Sequence, residues 1–166
     1  MRNKIHLWRR VDGGITMIVP AWDDLKNGYN PENETEEEFY NRAMALTLEK
    51  APEKPAEVLG NVDMVDLPYW GAQPNRTFRN ALDWDGTKPV VNMDKARGIK
   101  MGYIRKARDA RLAATDLDVL KLDGAAVPAP LKAKRQVLRD MPAIVQPDLD
   151  AATTVEGLEA FEPTWP

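Results

Sequence analysis

Paired carboxylates are the side chains in this sequence best suited to chemistry. Asp83 and Asp85 stand in Asp83-Trp84-Asp85-Gly86-Thr87, Asp116 and Asp118 are followed by Asp123, and five glutamates fall between Glu32 and Glu38. Such groups bind hard cations or move protons. The rest of the catalytic repertoire is thin. The chain has no serine, no cysteine and a single histidine, His6. A Ser-His-Asp or Cys-His arrangement is excluded because its nucleophile is missing. Zinc sites built on thiolates or on several histidines are excluded as well. Carboxylate, lysine, threonine or tyrosine chemistry remains, and no residue is assigned a catalytic role.

The run from Asp83 to Thr87 is similar to the D-x-D-G-T signature of haloacid-dehalogenase-type phosphatases. That resemblance implies a nucleophile at Asp83, an acid/base at Asp85 and a magnesium ion beside both. The chemistry needs them at the exposed C-terminal end of a buried parallel strand. Arg79-Asn80-Ala81-Leu82 makes a poor buried strand, and the residues that follow read as helices and coil rather than βαβ units. A surface turn is therefore expected, with a magnesium-dependent phosphatase as the least favoured reading. Asp116, Asp118 and Asp123 do not complete a calcium loop, since its sixth position is Lys121 and no glutamate closes it. The glutamates from 32 to 38 are expected to be a solvated helix start, and His6 to sit on a strand. No metal or cofactor is expected.

Charge is unevenly placed. The net charge of −3 conceals seven basic residues between 94 and 111, namely Lys95, Arg97, Lys100, Arg105, Lys106, Arg108 and Arg111, against only Asp94 and Asp109. After Arg139 there is no lysine or arginine, but Asp140, Asp148, Asp150, Glu156, Glu159 and Glu162 follow. The basic arm and the acidic stretch are each suited to be the other's partner. Nucleic-acid binding is disfavoured, because the whole chain is acidic and only Tyr103 interrupts the basic run as a stacking aromatic. Behind Arg2 and Lys4 there is no apolar run of the kind a leader peptide needs, and no stretch reaches the ~18 apolar residues of a membrane span. The expected location is a cytoplasm.

The elements follow from periodicity and punctuation. Lys4 to Arg10 alternates, with Ile5, Leu7 and Arg9 on one face and His6, Trp8 and Arg10 on the other; Asp12-Gly13-Gly14 turns the chain and Ile15 to Val19 returns. Thr35 and Glu38 form a capping box for a helix with the stripe Phe39, Ala43, Leu46 and Leu48, ended by Pro52. Val58 to Val65 suits a strand, 67–75 is irregular, 76–84 is open between strand and short helix, and Pro89 to Asn92 is extended. Asn92 opens the longest helix, to Leu120, with a break expected near residue 100 because Gly98 and Gly102 each cost about 1 kcal/mol in a helix interior. A second helix is expected from Leu131 to Met141, where Pro142 follows. Thr153 and Glu156 suggest a last capping box, for a helix to Phe161. Trp165, in the closing Thr-Trp-Pro, is an apolar anchor for the body or a partner.

Two short motifs carry a further resemblance. The first is Arg105-x-x-Arg108-Asp109-x-x-Leu112-x-x-x-Asp116-x-x-x-Leu120; the second is Lys134-Arg135-Gln136-Val137-Leu138-Arg139-Asp140-Met141-Pro142. Together they resemble the C-terminal module of phage tail-assembly and tail-fibre-assembly chaperones. There an R-x-x-R-D-x-x-L-x-x-x-D helix precedes a Y-R-Q-x-L-R-D-x-P helix and a short end rich in Trp-Pro. The sequence departs from that pattern at Lys134, where an aromatic is usual, and at Leu117, where tryptophan is common. Asp66 to Met93 also looks like prophage proteins encoded near tail-fibre genes, so the resemblance spans roughly 66–142.

The resemblance implies a non-enzymatic tail-morphogenesis protein that binds a tail or tail-fibre component. It would act in the host cytoplasm during assembly, or alternatively stay in the virion tail as a structural baseplate or fibre-adaptor component. The partner-binding residues expected are Arg105, Arg108, Arg139 and Trp165; phage tail proteins are the expected partners, with a homo-oligomer possible in principle and no membrane. Across the two helices, Arg108 and Arg111 are expected to face Asp140, and Arg135 or Arg139 to face Asp116, with Leu112, Leu120 and Leu138 closing the hairpin. The expected fold is α+β: an N-terminal hairpin or small sheet with one helix over 1–90, then a helical module over 91–166.

Overall fold

The computed structural model describes residues 2–24, 26–52, 54–67 and 77–166. The fold is α+β, with an antiparallel sheet and one helix preceding a helical C-terminal half. The chain divides into two compact units, Met1–Asn92 and Met93–Pro166. Most of the irregular stretch expected at 67–75, with Trp70, lies outside the described residues.

In the first unit, β1 (Lys4–Arg9) pairs antiparallel with β2 (Ile15–Ile18) and, on its other side, with β3 (Glu57–Asp63). The connecting turn forms as its composition dictates: Gly13 takes φ +79°, and the Asp12 carboxylate accepts from the Gly14 N–H at 2.8 Å. Between Leu7 and Trp8 the β1–β3 register slips, and Gly60 on the partner strand sits at φ +106°. That bulge lets β3 keep Val62 inward. The strand stops at Asp63, where a 3₁₀ turn over Met64–Asp66 replaces the strand expected as far as Val65.

Alternation along β1 sorts its side chains as expected. Ile5 and Leu7 are fully buried and cluster with Ile15, Val62, Leu67 and Leu82. On the other face the His6 ring meets Trp8 of its own strand and Tyr40 of α1 (Glu36–Lys50), edge to face in both cases. The capping box of α1 is formed: Thr35 Oγ1 accepts from the Glu38 N–H at 3.2 Å, and Glu38 accepts from the Thr35 N–H at 2.8 Å. The buried stripe is Phe39, Tyr40 and Met44, so Leu46 falls at its margin, 39% exposed.

The ambiguous stretch before Trp84 combines both possibilities. Arg79–Ala81 is a 3₁₀ turn, and β4 (Leu82–Trp84) then pairs antiparallel with β5 (Pro89–Val91). Gly86 at φ +104° makes the tight connection.

The second unit is a helical hairpin with a short third helix. Helix α2 (Met93–Leu120) runs unbroken through Gly98 and Gly102, contrary to the expected interruption. Helix α3 (Ala129–Ala151) also outruns its expected end at Met141, carrying Pro142 and Pro147 inside it. Each proline removes an N–H donor and crowds the preceding turn. The helix continues because its apolar stripe does: Leu138, Met141, Val145 and Leu149 recur at helical spacing and are all buried. Its far end is also capped from α2, where Arg97 donates to the Leu149 and Ala152 carbonyls at 3.1 and 2.8 Å. Helix α4 (Val155–Ala160) starts one residue later than expected. Thr154 caps the Gly157 N–H at 3.1 Å, so Glu156 is not the third residue of a capping box.

Candidate functional site

The aspartates of the 83–87 run lie on an antiparallel hairpin, not at the end of a parallel strand. Asp83 accepts from the Arg9 guanidinium at 3.3 Å, the Trp84 N–H at 2.9 Å and the Asn92 amide at 3.4 Å. Asp85 accepts from the Thr87 and Lys88 N–H groups, both at 2.8 Å, and donation from Lys88 and then Thr87 holds its carboxyl below the usual range. Asp85 thus stabilises the turn, as the sequence suggested. Asp116 and Asp118 lie within helix α2 and pair with Arg135 at 2.7 Å and Lys121 at 3.7 Å. Among the described residues no group of three or more acidic, histidine or cysteine side chains is arranged to hold a metal, and no helix is long and apolar enough to cross a membrane.

His6 belongs to a polar network on the helix-facing side of the sheet. Its Nδ1 is 2.6 Å from Asn61 Oδ1, and the Tyr40 hydroxyl donates to the same oxygen. Burial pushes the Tyr40 phenol up to about 12 from 10.0. The fold therefore holds the neutral phenol; that contribution is intact below the unfolded pKa and is lost as pH rises toward 12. Tyr40→Phe is expected to cost about 1 kcal/mol, the usual worth of one such bond. It should also remove the component titrating near pH 12 from the phenolate absorbance.

The expected partner-binding residues all fall in the second unit, but not as one constellation. Arg105 is exposed and makes no side-chain hydrogen bond or ion pair among the described residues. Arg108 turns to its neighbour Asp109 at 2.8 Å rather than to Asp140, which accepts from Gln136 instead at 3.0 Å. Arg111 stacks over Trp165, 4.1 Å from the ring centroid, so one face of that indole is already covered within the chain. The expected cross-helix pair is present in one of its two forms: Arg135 donates to Asp116 at 2.7 Å and also to the Thr115 hydroxyl. Leu138 closes the hairpin as expected, fully buried; Leu112 is half-buried, and Leu120 is 74% exposed and contributes little.

The basic arm and the acidic stretch do meet. The buried Lys100 ammonium donates to the Glu159 carbonyl at 3.2 Å and lies 3.6 Å from the Glu162 carboxylate. Pro163 and Leu158 are buried alongside. Much of the basic arm is therefore engaged internally, through Arg97, Lys100, Arg108 and Arg111.

On α3, two further cations, Lys132 and Arg139, line a cleft of about 370 Å³ together with Val119, Val127, Arg135 and Gln136. Lys132 and Arg139 make no side-chain hydrogen bond or ion pair among the described residues. Of the cleft, sequence reasoning singled out only Arg139 as a binding residue. The signal for the rest was Lys132-x-x-Arg135-Gln136-x-x-Arg139, a spacing that places four polar groups along one side of a helix. Chemically the cleft has the character of an anion receptor with an apolar wall, its cations and the Gln136 amide being donors suited to a carboxylate. The chain matches no protein family, no curated protein and no solved structure.

Proposed function

We propose that this is a non-enzymatic phage tail-morphogenesis protein, which binds a tail or tail-fibre component during assembly in the host cytoplasm. One observation carries the reading. The two short motifs that resemble tail-assembly chaperones lie on the paired helices α2 and α3. Motif residues Asp116 and Arg135 form the ion pair between them. Next to that pair lies a surface with unspent positive charge, suited to a protein ligand rather than to a reaction. Affinity capture with the tagged protein, from cells expressing neighbouring tail proteins, is expected to recover one of them in stoichiometric amount. Recovery of none would overturn the proposal. Stoichiometric presence of the protein in purified virions would instead favour a structural baseplate or fibre-adaptor subunit.

A further inference from the structure

We infer that the cleft between the end of α2 and the start of α3 binds an acidic, extended segment of a protein partner, seating a carboxylate between Lys132 and Arg139 and an apolar neighbour against Val119 and Val127. This rests on the partner-binding reading above and names the chemistry of the partner.

Four observations converge on it. The volume, about 370 Å³, lies at the small end of the ~300–1,000 Å³ typical of ligand clefts, room for a few side chains rather than a folded element. Its two outer cations stand seven residues apart on one helix and have no partner among the described residues. Arg135 is already committed to Asp116 and Thr115, which fixes it as part of the wall. Of the chain's own acids, Glu162 pairs with Lys100, and Asp140 accepts from the cleft's Gln136 rather than from Lys132 or Arg139, while Trp165 is held at Arg111. Both of those anchoring points lie well back along α2: Arg111 is eight residues before Val119, about 12 Å along the helix axis, and Lys100 is about 28 Å back.

Nucleic acid fits less well. Duplex binding commonly neutralises ~6–10 phosphates, whereas two free cations line this cleft. No aromatic ring lines it for base stacking, and the net charge of −3 opposes a long polyanion.

The test uses a fluorescein-labelled octapeptide of alternating Asp and Val, with an oligothymidylate of equal charge and inorganic phosphate as rival probes. Saturable anisotropy with the peptide is expected on the full-length protein. Lys132→Glu with Arg139→Glu should weaken it at least tenfold, and Lys106→Glu, a control at an exposed cation of α2, less than twofold. Should charge reversal reduce helicity, the neutral pair Lys132→Gln with Arg139→Gln decides, with at least a fivefold loss expected. Unchanged affinity in the variants overturns the inference, as does tighter binding of oligothymidylate or phosphate than of peptide, or no peptide binding at all. Capture of a tail protein that survives the double variant refutes the cleft but not the tail reading. Peptide binding without capture of any tail protein does the reverse.

Discussion

Truncating Leu138 to alanine is expected to destabilise the helical unit by about 2–5 kcal/mol, the usual range for removing a buried leucine side chain. Leu138 is fully buried in the seam between α2 and α3, on the stripe that continues through Met141, Val145 and Leu149. That seam has to offset an unusual burden. Pro142 and Pro147 both sit inside α3, and a proline in a helix interior costs ~3 kcal/mol in an isolated helix. A helix so handicapped persists through tertiary burial rather than intrinsic propensity. Urea unfolding followed by ellipticity at 222 nm measures the effect. Val137→Ala, one position away but 39% exposed, is the comparison, expected to cost well under half as much. Equal losses at the two positions would mean that the seam is not what holds α3.

This dependence on burial explains which parts of the fold were legible in the sequence. Local devices were readable where the competing forces are local. Asp12-Gly13-Gly14 and the Thr35–Glu38 box involve neighbouring groups only, and both form as read. The ends of α2 and α3 are decided by long-range packing. Gly98, Gly102 and Pro142 are local signals for a break, and the burial of Met101, Ile104 and Val145 beyond them overrides all three. The strand over 57–63 was legible in kind but not in extent, because its end is set at long range: the Met64 N–H donates to the Asn3 carbonyl at 2.8 Å and the 3₁₀ turn begins there.

The candidate site divides in the same way. Arg135 opposite Asp116 could be read because two charged motifs on adjacent helices have few alternatives. Arg108 could not be placed, since an adjacent carboxylate, Asp109, competes with the more distant Asp140. Lys132 and Gln136 went unrecognised because cations at helical spacing look the same on a plain solvated face. What turns that face into a cleft is Val127, which reaches it from the interhelical connection, and no helical periodicity announces a loop residue.

The glycines of α2 give the second large effect, in the opposite direction. Gly98→Ala with Gly102→Ala is expected to stabilise the helical unit by roughly 2 kcal/mol, about 1 kcal/mol per site. Neither glycine takes a positive φ, and a Cβ built at either meets nothing within 4 Å. Alanine therefore gains helix propensity and reduces the entropy of the unfolded chain at no steric cost. The same urea measurement reads the gain, and affinity capture of the tail partner reads its consequence. A glycine that serves no contact within the chain costs stability for no return unless something outside approaches the backbone there. Higher stability with undiminished capture would show that this stretch of α2 faces only solvent in the complex. Higher stability with weakened capture would place the partner against it, extending the interface along α2 from the neighbouring Arg105. Loss of stability in the double variant would mean that the backbone at 98–102 is not the regular helix described above, and a break near residue 100 would become the better account of α2.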